Sequence, residues 1–303
     1  MTSIALATAA EAWEVDEDAP LLVAALEELD VDVRPAVWTD PEVDWSDVDL
    51  VVIRSTWDYT SRHDEFLAWI ERVERTTSVA NPSAVVAWNT DKHYLADLAT
   101  AGIRTVPTTF LDSSDGFDVP GAAARILAAV PPGSDLVVKP TISAGSKDTA
   151  RYRPEQMDDA VAHAIGLLDD GRDVMVQPYL DSVDDVGETG MVLIDGQLSH
   201  AFRKGALLRG GAADVDGLFA VEQIDAATAT TDEVDLATEV LDVATRRLGT
   251  GPLLYARVDV LRGADGRPML LELELTEPSF FLHTSPSAAA TVAAAALRRA
   301  ARG

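Results

Sequence analysis

The chain has 303 residues, of which 51 are acidic, 24 are basic and none is cysteine, and its formal net charge is −27. The lack of cysteine excludes disulfides, thiol catalysis and thiolate-bound zinc, and the negative charge disfavours a nucleic-acid partner, because neutralising phosphates requires clustered Lys and Arg. No apolar run approaches the roughly 18 to 20 residues of a membrane span, and the N-terminus lacks the basic segment of a signal peptide, so we expect a cytoplasmic protein with no membrane partner.

The first 85 or so residues alternate predicted strands and helices. The apolar run IALAT precedes a helix that begins at Pro20, and the strands VDVRPAVW and DLVVIRS precede the amphipathic helix HDEFLAWIERVERT. This alternation is typical of a small parallel sheet with helices on its faces. We therefore predict a Rossmann-like lobe over residues 1–88 that recognises the substrate.

Two further lobes are predicted, over residues 89–180 and 181–303. The first holds the helix NTDKHYLADLATAG, the strands TVPTTFL, DLVVKP and DVMVQPYL, and two more helices. The second holds a hairpin turned at Asp195-Gly196, the helix TDEVDLATEVLDVATRRLG, the hairpin LLYARVDVLRGADGRPMLLELEL and a closing helix over 287–301. The predicted fold class is α/β, with α+β lobes after the first.

The most specific feature is the last hairpin. Its turn, GADG, places Asp259 opposite residues 270–272, and the strand period of two puts Glu272 and Glu274 on one face. Three buried carboxylates repel one another unless a cation lies between them, and Mg²⁺ held together with substrate phosphates fits these oxygen ligands best. Arg257 shares the face, either to balance charge or to reach a phosphoryl group. The alternative is a strand that shows its Glu face to water.

A lysine ends the apolar strand DLVVKP. Lys139 is one of only four lysines in the chain, and Ser143, Gly145 and Ser146 follow it in a small loop. Backbone N–H groups of such a loop suit anions, although the spacing of a Walker A motif is missing. We predict a phosphate site here, and the alternative is a structural lysine at a strand end.

The segment QPYLDSVDDVGE is a candidate for nucleoside contact. Gln177, Tyr179 and Leu180 offer backbone groups and an apolar wall to an adenine ring, and Glu188 offers a carboxylate to ribose hydroxyls. A hinge between two lobes would have a similar sequence.

A polar loop follows the strand DLVVIRS, at a position where ligands bind in open α/β sheets. The candidate substrate residues of this loop are Arg54, Ser55, Thr56, Trp57, Asp58 and Tyr59. We predict that Arg54 grips a carboxylate in bidentate fashion and that Asp58 binds an ammonium, which indicates a small amino-acid-like substrate. The alternative is a structural Arg–Asp pair with Trp57 in the core.

Together these features resemble the ATP-grasp superfamily, over nearly the whole chain and in the same order. The resemblance implies that the second and third lobes clamp ATP between them with Mg²⁺, with two ions expected and Mn²⁺ expected to substitute. It implies phosphate contacts from Lys92, Lys139, Ser143, Gly145, Ser146 and Lys147, nucleoside contacts from Gln177, Tyr179, Leu180 and Glu188, and a metal site formed by Arg257, Asp259 and Glu272. One departure is Glu274, because the family pattern has asparagine two residues after the metal-binding glutamate.

The segments IRSTWDY, GETGMVLIDGQLSHAFRKG and LELELTEPSFFL are most similar to the cycloserine-synthetase-like branch, whose named member cyclises O-ureidoserine. The implied reaction phosphorylates a substrate carboxylate, and an amine or an internal nucleophile then attacks the acyl phosphate. Arg257 would act at the phosphates. Arg203 and Lys204 are placed to add positive charge near the γ-phosphate, unless they are an exposed pair at a strand end.

Two other functions would use a similar ATP site. One is a phosphotransferase that passes the γ-phosphate to a hydroxyl, and the other is a domain that senses ATP without turnover. The complete carboxylate set disfavours the sensor. The sequence leaves open whether the protein forms a homo-oligomer.

Overall fold

The computed structural model describes residues 1–116, 118–206 and 223–302. The first sheet contains β1 (Ser3–Thr8), β2 (Asp32–Val37), β3 (Leu50–Ser55) and β4 (Ser78–Val79). All neighbouring strands are parallel, in the order β2-β1-β3-β4, which confirms the predicted parallel sheet. Successive residues of β1 belong to different core clusters, because helices cover both faces of the sheet.

Four helices accompany this sheet and the segment after it: α1 (Ala19–Glu27), α2 (His63–Glu74), α3 (Ser83–Asn89) and α4 (Tyr94–Thr100). The first two connect strands, as predicted. The last two pack in one cluster with the third sheet, so the hydrophobic core of the central lobe begins only near Leu111.

The central sheet contains β5 (Thr109–Leu111), β6 (Leu136–Pro140), β7 (Ala150–Tyr152) and β8 (Val174–Pro178). Its order is β5-β8-β6-β7 and its pairs are antiparallel. Helices α5 (Val119–Ala129) and α6 (Met157–Asp169) pack on it. The strand β7 was not predicted from the sequence.

The third sheet is antiparallel and contains β9 (Glu188–Ile194), β10 (Gln197–Lys204), β11 (Ile224–Ala227), β12 (Tyr255–Arg262) and β13 (Pro268–Glu274), in the order β11-β10-β9-β12-β13. The turn between β9 and β10 has positive φ at both Asp195 (48°) and Gly196 (77°), as a type I′ turn requires. The remaining α-helices of the described residues are α7 (Ser182–Asp185), α8 (Thr231–Leu248) and α9 (Ala288–Ala300).

Long-range contacts fix the last hairpin against the first lobe. Helix α9 packs on α1, and both share one core cluster with residues of β9 and β12. The amide of Asn81 donates to the carbonyls of Tyr255 (3.0 Å) and Leu275 (2.6 Å), and Asn89 donates to Leu273 (2.7 Å). The hairpin is therefore anchored from the chain segment that joins the first two sheets.

The proposed lobe boundaries at residues 88 and 180 fall between the strands of the three sheets. Within the described part of the chain, no helix combines the length and apolar character needed to cross a bilayer.

Candidate active site

A cavity of about 410 Å³ is lined by residues from all three parts of the chain, each of which contains one of the sheets. The predicted site residues that line it are Trp57, Tyr59, Lys92, Lys139, Ser143, Gly145, Ser146, Gln177, Tyr179, Leu180, Glu188, Lys204, Arg257, Glu272 and Glu274. The predicted residues outside its lining are Arg54, Ser55, Thr56, Asp58, Lys147, Arg203 and Asp259.

The last hairpin brings three carboxylates together at the cavity. Asp259 pairs with Glu272 across the two strands and Arg257 pairs with Glu274, in the register expected from the sequence. One carboxylate oxygen from each of Asp259, Glu272 and Glu274 lies within 4.8 Å of the others. These residues offer only oxygen donors at one point, a set that fits a hard divalent cation such as Mg²⁺.

Two cations neutralise the buried member of this group, Asp259, whose side chain is inaccessible to water. Arg257 Nη2 lies 2.8 Å and Lys204 Nζ 2.9 Å from Asp259 Oδ2. Burial by itself would raise the pKa of Asp259, but Arg257 and Lys204 outweigh it and hold the pKa below its usual range. Lys204 Nζ also lies 2.9 Å from Glu188 Oε1, so the predicted ribose carboxylate borders the metal side of the cavity.

Glu274 occupies the position at which the ATP-grasp pattern has asparagine. Its environment differs from that of Asp259. Its carboxylate accepts a hydrogen bond from Arg257, whose Nη1 donates to the carbonyl of Ser279 at 3.1 Å. Burial raises the pKa of Glu274 despite Arg257, and the nearby charges of Glu272 and Asp259 add to the rise. Of the three carboxylates, Glu274 is therefore the one whose ionised form a further cation would stabilise most.

Two lysines face the same cavity from the central segment. Lys92 Nζ lies 3.2 Å from Glu272 Oε1 and 3.0 Å from the carbonyl of Ser143. Among the described residues, no carboxylate lies within ion-pair distance of Lys139, and burial lowers its pKa. Burial also opposes ionisation of Glu272, but Lys92 and Lys139 lower its pKa overall. Lys139 thus presents an ammonium for which the described residues provide no ion-pair partner.

The loop after Lys139 turns sharply over the cavity. Gly145 (φ 61°) and Ser146 (φ 59°) both adopt the left-handed conformation, and both line the cavity with Ser143. Lys147 is exposed and lies outside the lining. The predicted loop therefore reaches the cavity through its small residues rather than through its lysine.

The predicted adenine wall lies at the end of β8. Gln177, Tyr179 and Leu180 line the cavity in succession. The guanidinium of Arg151 lies 3.5 Å from the centroid of the Tyr179 ring, and the Tyr179 hydroxyl donates to Asp184 at 2.9 Å. Arg151 therefore packs on one face of the Tyr179 ring, and Asp184 holds its hydroxyl.

The predicted role of Arg54 as a carboxylate clamp does not fit the structure. Its side chain is inaccessible to water, and Nη2 lies 3.3 Å from Asp16 and 3.2 Å from Asp18. Nη1 donates to the carbonyl of Pro278 at 2.8 Å, and the guanidinium lies 4.4 Å from the ring of Phe280. Arg54 therefore connects the first lobe to the chain after β13. The alternative interpretation, a structural Arg–Asp pair, describes it better, and its partners are Asp16 and Asp18.

The other predicted residues of this loop, 55–59, fall into two groups: some are buried in the protein interior, and others line the cavity. Ser55 and Thr56 are fully buried, and Ser55 shares a 2.8 Å hydrogen bond with Thr8. Asp58 accepts a hydrogen bond from Trp38 Nε1 at 2.8 Å, so it is not aimed at a substrate ammonium as predicted. Only Trp57 and Tyr59 of the six predicted residues reach the cavity lining.

Arg203 and Lys204 do not act as a pair. They are successive residues on β10 and so point to opposite faces of the sheet. Lys204 reaches the carboxylates, whereas Arg203 lies outside the cavity lining. Of the two residues predicted to add positive charge near the γ-phosphate, only Lys204 therefore lines the cavity.

One cavity residue was missed in the sequence. Glu277 lines the cavity just after β13, in the segment TEPSFFL, and the hydroxyl of Tyr59 lies beside its carboxylate. Its signal is an acidic residue within an otherwise apolar or small segment that follows the metal-site strand.

Comparison with known proteins places these features in a family. The family described as "D-cycloserine synthetase DcsG, N-terminal domain" matches residues 4–81. The cycloserine biosynthesis protein DcsG of Streptomyces lavendulae is 40% identical over 303 residues, covering 99% of each chain. The crystal structure of D-cycloserine synthetase DcsG aligns with a TM-score of 0.89 at 40% identity, over 98% of this chain and 99% of that chain.

More distant structures share the fold. A D-alanine–D-alanine ligase from Bacillus anthracis complexed with ATP aligns with a TM-score of 0.67 at 13% identity, over 99% of this chain and 97% of that chain. The ATP-grasp ligase PsnB, complexed with a precursor variant, Mg and ADP, aligns with a TM-score of 0.65 at 18% identity, over 99% of each chain.

The three sheets and the cavity between their segments define an ATP-grasp fold, which confirms the predicted fold class. The nearly full-length 40% identity goes further, because it covers the first lobe as well as the two lobes that follow it. The chain belongs to the DcsG family of ATP-grasp ligases and is an enzyme of the ligase class, as the resemblance implied.

Proposed function

We propose that the protein is an ATP- and Mg²⁺-dependent ligase that activates the carboxylate of a small amino-acid-like substrate as an acyl phosphate. The observation that carries the proposal is the convergence of Lys92, Lys139, Lys204 and Arg257 on one cavity with Glu272 and Glu274, each of which has a carboxylate oxygen within 4.8 Å of one from the buried Asp259. Phosphoryl transfer needs this combination of positioning and charge neutralisation. A nearly full-length relative named for cycloserine biosynthesis supports a biosynthetic ligase.

ATP would occupy the side of the cavity bounded by the central sheet. Gln177, Tyr179 and Leu180 would face the adenine ring, and Glu188 the ribose. Lys139, which has no anion within ion-pair distance among the described residues, would bind phosphate oxygens. The small residues of the loop 143–147 would present backbone N–H groups to the same phosphates.

The carboxylate trio would hold Mg²⁺ together with the nucleotide, and we propose two ions, with Mn²⁺ as a substitute. When bound, the metal would supply charge neutralisation for the phosphate oxygens. Arg257 and Lys204 already neutralise Asp259, so they keep it ionised and oriented in advance. Arg257 additionally lines the cavity, where it would contact the phosphoryl group in transfer.

The proposed chemistry has two steps. A substrate carboxylate oxygen attacks the γ-phosphorus, the bond to the bridging oxygen breaks, and ADP leaves. A nucleophile then attacks the carbonyl carbon of the acyl phosphate and inorganic phosphate leaves. In a cyclisation like that of O-ureidoserine the nucleophile is a nitrogen of the same molecule, and we propose this variant first because of the 40% identity to DcsG.

Trapping with hydroxylamine tests the proposal. The enzyme is incubated with ATP, Mg²⁺, hydroxylamine and either O-ureidoserine or a panel of amino acids, and ADP and hydroxamate are quantified. A ligase gives both products, because hydroxylamine captures the acyl phosphate. A phosphotransferase acting on a hydroxyl gives ADP and a stable phosphate ester without hydroxamate, and a sensor gives neither product.

A further inference from the structure

Glu277 lines the cavity together with Trp57 and Tyr59 of the first lobe. The hydroxyl of Tyr59, a residue that is only 3% exposed, lies beside the Glu277 carboxylate and lowers the pKa of that group. The Tyr59 ring stacks on Phe66 with centroids 4.9 Å apart. The Tyr59 side chain is therefore held in place by packing, with its hydroxyl beside the Glu277 carboxylate.

Glu277 differs from its acidic neighbours in lacking a cation. The buried and half-buried acidic residues of the cavity lining that each lie within 3.5 Å of a Lys or Arg are Asp16, Asp18, Glu188, Glu272 and Glu274. In the described part of the chain, Glu277 has no such partner, and Lys92 acts on it only from beyond ion-pair distance. Burial raises the pKa of Glu277 to about 7, against the opposing effect of Tyr59.

A carboxylate that is partly withdrawn from water without a cation is costly unless a ligand supplies one. We propose that Glu277, which lines the cavity beside Tyr59, binds the ammonium group of the substrate and selects amino acids over carboxylic acids that lack the amino group. The inference rests on the proposed function, and it moves to Glu277 the role that the sequence had suggested for Asp58. Trp57, which also lines the cavity, would border the same subsite.

Calorimetry tests the subsite without requiring turnover. Enzyme saturated with Mg²⁺ and the non-hydrolysable analogue AMP-PNP is titrated with O-ureidoserine, and separately with the same molecule carrying hydrogen in place of its amino group. The wild type should bind O-ureidoserine more tightly. Glu277→Gln should weaken its binding by about 10²-fold, as expected when a buried charge partner is removed, and should leave the Kd of the deamino compound within about threefold.

Three controls make the result specific. Glu239→Gln removes an exposed carboxylate of α8 and should change neither Kd. Tyr59→Phe keeps the Glu277 carboxylate but removes the hydroxyl beside it, so it should weaken O-ureidoserine binding less than Glu277→Gln does. The affinity for AMP-PNP, measured for each variant, reports whether the ATP side of the cavity is intact.

The proposal is overturned if the wild type does not distinguish the two compounds, or if Glu277→Gln weakens both equally, as a purely structural residue would. Failure of the proposed ligase function gives a different pattern. In that case the wild type binds O-ureidoserine through Glu277 but yields no ADP or hydroxamate with ATP.

Discussion

Replacing Arg54 with methionine tests whether this residue is a structural cation or a ligand of the substrate. The side chain is fully buried, contacts Asp16 and Asp18 and donates to the carbonyl of Pro278. Asp18 in turn accepts three backbone N–H groups, from Phe280, Phe281 and Leu282. Arg54→Met therefore leaves two buried carboxylates without their cation and loosens the chain segment beside the cavity.

Breaking a buried ion pair by removing one partner costs about 3–5 kcal/mol. Because two carboxylates lose their partner here, we expect Arg54→Met to lower the free energy of unfolding by about 4 kcal/mol. At roughly 2 °C per kcal/mol for a chain of this size, the thermal midpoint should fall by roughly 8 °C. Adding Asp16→Asn removes one of the orphaned charges, so the double variant should recover part of this loss.

The assay combines thermal unfolding, followed by tryptophan fluorescence, with ADP release at varied substrate concentration. Arg75→Met serves as the control, because Arg75 is exposed at the end of α2 and should change stability by less than about 0.5 kcal/mol. If Arg54→Met is as stable as the wild type but raises KM for the carboxylate substrate more than tenfold, Arg54 is a substrate ligand and our interpretation is wrong.

Three further predictions concern the cavity. Lys139→Ala should abolish ADP release and weaken ATP binding, and Lys139→Arg should also fail because a planar fork replaces a compact ammonium; a near wild-type rate for either removes Lys139 from the phosphate site. Glu272→Gln should slow turnover by at least about 10²-fold, with Glu239→Gln unaffected, whereas lower stability at unchanged rate would make the trio structural. Trp57→Ala should raise KM for the carboxylate substrate and leave KM for ATP nearly unchanged, and equal effects on both would indicate packing alone.

Local chemistry allowed much of the fold to be predicted. The run IALAT and the strand LVVIRS are mostly apolar and are buried along their whole length, because helices cover both faces of their sheet. The turn at Asp195-Gly196 needs two positive φ angles, which this dipeptide tolerates. The alternation of Glu272 and Glu274 on one strand, opposite Asp259, follows from the strand period and the short turn.

Other features depend on contacts that local patterns do not contain. Arg54 is paired by Asp16 and Asp18, which lie about 36 residues earlier in the chain. The structural role of its guanidinium therefore depends on how a distant segment of the first lobe folds against it. Which of Arg203 and Lys204 faces the cavity depends on the register of β10 against β9. Glu277 is meaningful only once Tyr59, from another lobe, lies against it.

The central claim is that a substrate carboxylate oxygen becomes bonded to the γ-phosphorus of ATP. The most direct test uses substrate labelled with ¹⁸O in its carboxylate and analyses the phosphate released during turnover. Our account predicts that the inorganic phosphate carries one ¹⁸O atom per turnover, because the acyl phosphate breaks between carbon and oxygen when the nucleophile attacks. Turnover that releases unlabelled phosphate, or that leaves the label entirely in the carboxyl group, would contradict activation through an acyl phosphate.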